Sequence, residues 1–181
     1  MTNQETILKV YWNTPESILA ISHGEQIPMD MIPPGITSLK GTPIANQLVV
    51  MAKVHDASGK EIGIHTEIEV FPPAGPEFDV YLTVVLPGRG ALVVYERKSY
   101  TLPGLAEVFQ KAIETNTPWQ GQLDVVQTAG PAAGRKGVVI AATGEFEGFS
   151  GYQQQTATFT YIDARRQTAA VTETFWLSPR K

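Results

Sequence analysis

The sequence predicts an all-β fold: a single eight-stranded antiparallel barrel with an N-terminal arm and one short inserted helix. Three observations carry that expectation. Runs rich in Val, Ile, Thr, Tyr and Phe recur between residues 48 and 176, mostly separated by short turns, which is hairpin spacing. Glycines crowd the otherwise strand-forming stretch GVVIAATGEFEGFSG at 137–151, and glycine in such sequence marks the bends and close backbone approaches that curve a sheet. Charged residues make up only 18% of the 181 residues, with Thr, Gln, Gly and Pro filling their place, as in β-rich proteins.

Taken in order, residues 1–42 stand apart as an arm or lid. Ile7, Leu8, Val10, Tyr11 and Trp12 form an apolar stretch that needs a surface to cover, and the connector IPMDMIPPG is too rich in Pro for regular structure. Between them, Thr14 before Pro15 reads as a helix N-cap with proline at the first helical position, and Gly24 as the C-terminal cap. The barrel domain then occupies 43–181. Strands are expected at 48–56 and 62–71 around Ala57-Ser58-Gly59-Lys60, and at 78–86 and 91–101 around Pro87-Gly88-Arg89-Gly90. Leu105, Val108, Phe109, Ala112 and Ile113 recur at helical spacing, predicting an amphipathic helix over 103–114 that caps an opening of the barrel. Strands at 122–128 and 137–142 follow, then a hairpin of 156–163 and 167–176 around Ala164-Arg165-Arg166.

Alternation divides each strand into two faces. His65, Glu67 and Glu69 oppose the apolar row of Ile62, Ile64 and Ile68, so the charged row is expected on the solvated exterior. The candidate substrate-binding set is Tyr81, Thr83, Tyr95, Gln122, Phe159, Tyr161, Thr174 and Trp176, with Asp124 beside it. Aromatic walls with a few hydroxyl, amide or indole donors are what a small-molecule cavity requires, although aromatics at alternating positions also serve as plain core filler. Tyr11 and Trp12 are the expected lid residues.

The run Thr143, Gly144, Phe146, Gly148, Gly151 resembles the glycine hallmark of the allene oxide cyclase and dirigent proteins. That resemblance implies an eight-stranded barrel around an apolar ligand cavity. Within the group, the chain looks most like the small bacterial spirotetronate and spirotetramate cyclases, on its length, arm and acidic character. This likeness implies a cofactor-independent enzyme of polyketide biosynthesis. It would hold a linear polyene for an intramolecular [4+2] cycloaddition of the Diels–Alder type. Outside the glycine motif no residue matches a catalytic position, so the catalytic residues stay unassigned. A non-catalytic carrier for an apolar metabolite and a dirigent-like acid–base isomerase are the alternatives. For the pericyclic reading, the rate is expected to stay flat from about pH 6 to 9, since no group titrating there takes part.

The composition narrows the partners. A formal net charge of −4 without an extended basic cluster argues against a phosphate-tracking surface. The absence of cysteine removes disulfides and thiolate chemistry. His23, His55 and His65 lie in separate segments without ligand spacing, so no metal is expected. The glycines of 144–151 precede a strand and not a helix, which leaves no phosphate cradle. The start carries no leader pattern and no apolar run reaches the length of about 18 residues that spans a bilayer. These readings predict a cytoplasmic protein with a small apolar substrate, no cofactor, and no nucleic acid or membrane partner. Its outer strand face leaves room for a homo-oligomer.

Overall fold

The computed structural model describes residues 6–11, 18–22, 46–99, 101–163 and 168–179, the first two segments as backbone only. The strands are β1 (Thr6–Tyr11), β2 (Ile18–Ser22), β3 (Gln47–His55), β4 (Glu61–Val70), β5 (Glu77–Leu86), β6 (Gly90–Ser99), β7 (Trp119–Val126), β8 (Thr128–Gly130), β9 (Gly137–Ala142), β10 (Gly151–Asp163) and β11 (Thr168–Pro179). One helix, α1 (Leu105–Thr115), lies between β6 and β7. The strands form one antiparallel sheet in the order β1-β11-β10-β9-β6-β5-β4-β3-β2, with β7 beside β10 and β8 beside β6. β1 lines up with β11 along its whole length and also meets β3 at Lys9↔His55 and Val10↔Val54. The sheet therefore curls into a barrel-like shape.

The hairpins fall where the turn residues put them. β3–β4, β5–β6 and β10–β11 match the expected pairs, and α1 follows the predicted apolar stripe. The strand count does not match: nine strands lie along the sheet path and two more beside it, against eight expected. The excess comes from the arm and from β8. Residues Ile18–Ser22 form a strand bonded to β3, not the helix that Thr14 and Pro15 suggest. An isolated short helix is marginal, whereas the edge of β3 offers this segment backbone partners along its length. β1 likewise uses the apolar run of the arm as a sheet strand. The rest of the arm, including Trp12, lies outside the described residues.

Two apolar clusters hold the sheet. The larger lies inside the curl and includes Val50, Val54, Val80, Leu82, Val84, Leu86, Leu92, Val94 and Phe175, with Phe146 and Phe149 packed against it. The smaller joins Val125, Ala157, Phe159 and Ile162 to the stripe of α1, namely Leu105, Val108 and Phe109. The helix thus covers β7 and β10.

The glycine motif is a tight connection between β9 and β10 that locks onto the β5–β6 hairpin. Glu145 donates its backbone N–H to Arg89 O at 2.7 Å, Arg89 Nε donates to Glu145 Oε1 at 2.6 Å, and the Arg89 guanidinium lies 5.8 Å from the Phe146 ring centroid. Gly144 has φ +65°, and a Cβ there would collide with the Arg89 carbonyl oxygen; Gly148 has φ +77° but open space around it. The two therefore differ in cost. Gly148→Ala is expected to lose about 1 kcal/mol from the left-handed backbone alone. Gly144→Ala should lose about 3 kcal/mol or more, since backbone must also move. Urea denaturation of the two variants checks the ranking, and equal losses would contradict it.

Candidate functional site

The interior of the curl is not uniformly apolar. On β4 the buried row is His65, Glu67 and Glu69, while Ile64 and Ile68 on the opposite face are 39% and 42% exposed. This corrects the expected facing of β4. The rows alternate as predicted, but the charged one points inward. The other strands explain why. Glu96 and Lys98 continue the inward row of Leu92 and Val94 on β6, Glu173 shares a face with Phe175 and Leu177, and Gln153 and Gln155 share one with Ala157 and Phe159. Every one of these polar residues is buried.

Lys98 is the hub. Its ammonium donates to Glu67 Oε2 at 2.7 Å, and lies 3.6 Å from Glu69 Oε1 and 3.9 Å from Glu96 Oε1. Gln155 Nε2 donates to Glu67 Oε1 at 3.2 Å, and His65 Nε2 is 3.6 Å from the same oxygen. Thr128 Oγ1 donates to Glu96 Oε2 at 2.6 Å and accepts the backbone N–H of Gln155 at 2.8 Å. Three carboxylates thus lie within 4 Å of one lysine, Glu173 also acts on it, and the charges cannot all be balanced.

The consequence is a separation of proton affinities. Burial opposes the ionisation of Glu67, yet the Lys98 ammonium and His65 outweigh it and hold its carboxyl well below the usual range. Burial also opposes the charge of Lys98, but Glu67, Glu69, Glu173 and Glu96 together raise its affinity for its proton. For Glu69, burial wins over the attraction of Lys98, and the repulsion of Glu67 adds to it, pushing the carboxyl up to about 8. Glu96 rises by burial to about 7, and burial raises Glu173 as well. The interior carries ionised Glu67 and Lys98 beside Glu69 and Glu96, whose carboxyls give up their protons only around neutral pH.

His65, Glu67 and Glu173 bring a ligating atom each to within 4.8 Å of one another, an assembly that sequence spacing does not reveal. The ammonium of Lys98 on Glu67 already supplies a positive charge to that group.

The polar cluster sits toward the end of the curl where β4 leads into β5. There a groove of about 640 Å³ runs along loop 71–76 between Asn46 and Arg97. The opposite end, at the β5–β6 hairpin, is apolar: Leu86 and Leu92 belong to the larger cluster, against which Phe146 and Phe149 pack.

The residues singled out from sequence are dispersed. Tyr81 is 48% exposed and stacks on Tyr95 across the outer face, ring centroids 5.5 Å apart, with Thr83 on the same face. The Tyr95 hydroxyl donates to Asp79 Oδ1 at 2.7 Å, and that bond raises its pKa to about 12. Thr174 and Trp176 alternate with the inward Glu173 and Phe175, and Trp176 Nε1 donates to Thr156 Oγ1 at 3.0 Å. Gln122 is exposed and donates to Asp124 Oδ2 at 2.7 Å. Phe159 is buried in the cluster under α1, and the Tyr161 hydroxyl donates to Asp163 Oδ2 at 3.4 Å near it. Tyr11 ends β1, opposite Thr172 of β11, which makes it part of the sheet. Of the set, Phe159 alone belongs to a buried apolar cluster. The physical reason is the polar interior: it takes charged residues inward and leaves the aromatic rows of β5, β6 and β11 outside.

Comparison with known proteins adds no assignment: no protein-family model matches the chain, and no curated protein does. Among the described residues, no helix is long and apolar enough to cross a membrane.

Proposed function

We propose that the protein is a cofactor-independent cyclase that takes a linear, mostly apolar substrate with a polar carbonyl head into the curled sheet and folds it for an intramolecular [4+2] cycloaddition. The observation that carries this reading is the division of the interior. One part is a buried Lys98–Glu67–Glu69–Glu96 cluster, and the other a wall of Val, Leu and Phe side chains. An amphipathic substrate matches that division, with its head bonded at the polar end and its hydrocarbon chain against the wall. A cycloaddition needs no nucleophile or redox group. Holding diene and dienophile in a near-attack conformer can contribute several kcal/mol, up to about 7–11. The resemblance of Thr143–Gly151 to the allene oxide cyclase and dirigent hallmark supports the same reading.

A second reading is favoured by one specific observation. Glu69 and Glu96, with pKa values raised to about 8 and 7, have the proton affinities of a general acid and base working near neutral pH. In that case the protein is an acid–base isomerase of the same amphipathic class of ligand.

The experiment is incubation with a synthetic 1,3-diene tethered to an exocyclic-methylene cyclic 1,3-dicarbonyl. Product is followed by chiral chromatography against the uncatalysed background. Rate enhancement with a single stereoisomer is expected. Leu82→Ala, which opens the wall, should lower the rate about 10- to 100-fold, while Trp176→Ala on the outer face leaves it within about threefold. Retention of the compound without acceleration identifies a carrier. Double-bond migration without ring formation, abolished by Glu69→Gln, identifies the isomerase.

A further inference from the structure

Gly137 on β9 lies between two buried side chains with unfilled hydrogen-bonding capacity. A Cβ built on it would stand 2.7 Å from Glu96 Cβ and 3.3 Å from Gln153 Oε1. Any side chain at this position would therefore displace Glu96 and crowd Gln153, and glycine is what lets the two side chains come together over β9. Among the described residues, neither atom of the Gln153 amide has a hydrogen-bond partner, and neither does Glu96 Oε1; both residues are at most 1% exposed. Buried polar atoms left in this state are rare and cost stability, so they mark a place completed by something else.

Glu96 itself is half-satisfied in a specific way. Thr128 Oγ1 donates to its Oε2, which turns the other oxygen away from that partner. The Lys98 ammonium stays 3.9 Å from Oε1, beyond hydrogen-bonding distance, because its short bond goes to Glu67. Among the described residues, the other buried ionisable groups are His65, Glu67 and Glu69 from β4, Lys98 from β6 and Glu173 from β11, with His55 at the end of β3 and Asp163 at the end of β10; the inward rows of β5 and β9 contribute apolar side chains and Gly137. An ionised Glu96 would add a further negative charge among them. Its raised pKa accords with the geometry.

We propose that Glu96, as a neutral carboxylic acid, and the Gln153 amide form a two-point hydrogen-bonding site across Gly137 that takes an uncharged carbonyl oxygen of the ligand. The proposal rests on the reading of the interior as a ligand site, names the group that the site grips, and replaces the pH-flat rate expected from sequence with one that falls as Glu96 ionises. The acid O–H on Oε1 and the Gln153 Nε2–H supply two donors to one oxygen, an arrangement that withdraws electron density from a conjugated carbonyl and favours attack on the alkene attached to it. Gln153 Oε1 is left to accept from a neighbouring N–H or O–H of the ligand.

The test has two arms on the full chain. In the first, infrared difference spectra of wild-type protein against Glu96→Gln are recorded at pH 6 without ligand. A carboxylic-acid C=O band that disappears in the variant is expected; a lost carboxylate band instead overturns the proposal. In the second, acetophenone carrying ¹³C at its carbonyl is titrated and its carbonyl stretch followed. A downshifted band is expected on binding. Affinity should fall about tenfold in Glu96→Leu, in Gln153→Leu and in wild type between about pH 6 and 9, while Glu96→Gln stays within about threefold at both pH values. If acetophenone binds saturably but its carbonyl band is the same in wild type and Glu96→Leu, the two-point site is wrong and the interior ligand reading stands. If it does not bind at all, both fail.

Discussion

Replacing Lys98 with methionine is expected to destabilise the protein by about 3–5 kcal/mol, because it leaves Glu67 buried beside other carboxyls with no ammonium. Lys98 is the one lysine or arginine among the buried described residues, and four glutamates depend on it. The loss should grow as pH rises, since each further ionisation then meets uncompensated negative charge. Adding Glu67→Leu to the lysine variant should recover most of the stability, as an apolar pair often replaces a buried ion pair without loss. Urea denaturation of the single and double variants measures both effects. A Lys98→Met protein as stable as the wild type would mean that the cluster is open to water.

The stability of the wild type should fall as pH rises from about 5 to 8. Glu69 and Glu96 have folded-state values near 8 and 7, above their ordinary 4.5. Between those limits the folded chain holds protons that the unfolded chain has released, so each unit of pH favours unfolding. The limit is about 1.4 kcal/mol per unit for each group, and mutual coupling reduces it to a few kcal/mol in all. Glu67 works in the opposite sense: its contribution is present above about 4.5 and is lost as pH falls below that. The contribution of Lys98 is fully present below about 10.5 and is lost only as pH climbs through its higher folded value. An optimum near pH 5 follows, with a melting temperature about 5–10 °C lower at pH 8. Glu96→Gln should remove part of that slope and leave the acid side unchanged. A melting temperature that stays level or rises from pH 5 to 8 would show these carboxyls to be ionised throughout.

The same cluster explains which features could be read from the chain. Hairpins were legible because Gly59 and the Pro87–Gly90 turn impose local geometry, and α1 because its stripe repeats every third or fourth residue. Strand faces were legible as pairs of rows but not as inside and outside. On β4, Ile64 and Ile68 make the outer row the more apolar one, so hydrophobicity alone selects the wrong side. The signal that identifies the right side lies in β6 and β11. There Glu96 and Lys98 stand in phase with Leu92 and Val94, and Glu173 with Phe175 and Leu177. A charge in phase with the inward apolar residues on several strands marks a polar interior, but this requires knowing which strands are neighbours. The sequence order hides that: β6 lies beside β9, and β10 between β9 and β11. The β2 strand was missed for a different reason, since Thr14-Pro15 is a good local start for a helix and only the edge of β3 overrides it.

The place of β1 bears on how the molecule is made. Thr6 pairs with Leu177 and Tyr11 with Thr172, so β1 leaves the ribosome well over a hundred residues before the strand it pairs with. During synthesis the β3–β4 and β5–β6 hairpins can assemble as they emerge, whereas β1 waits with its backbone amides and carbonyls unbonded along the β11 side. Closing so long a loop carries a large entropic cost and slows the final pairing. Until β11 arrives, the nascent chain exposes an apolar strand, and that interval is when it is most open to wrong pairing with another chain.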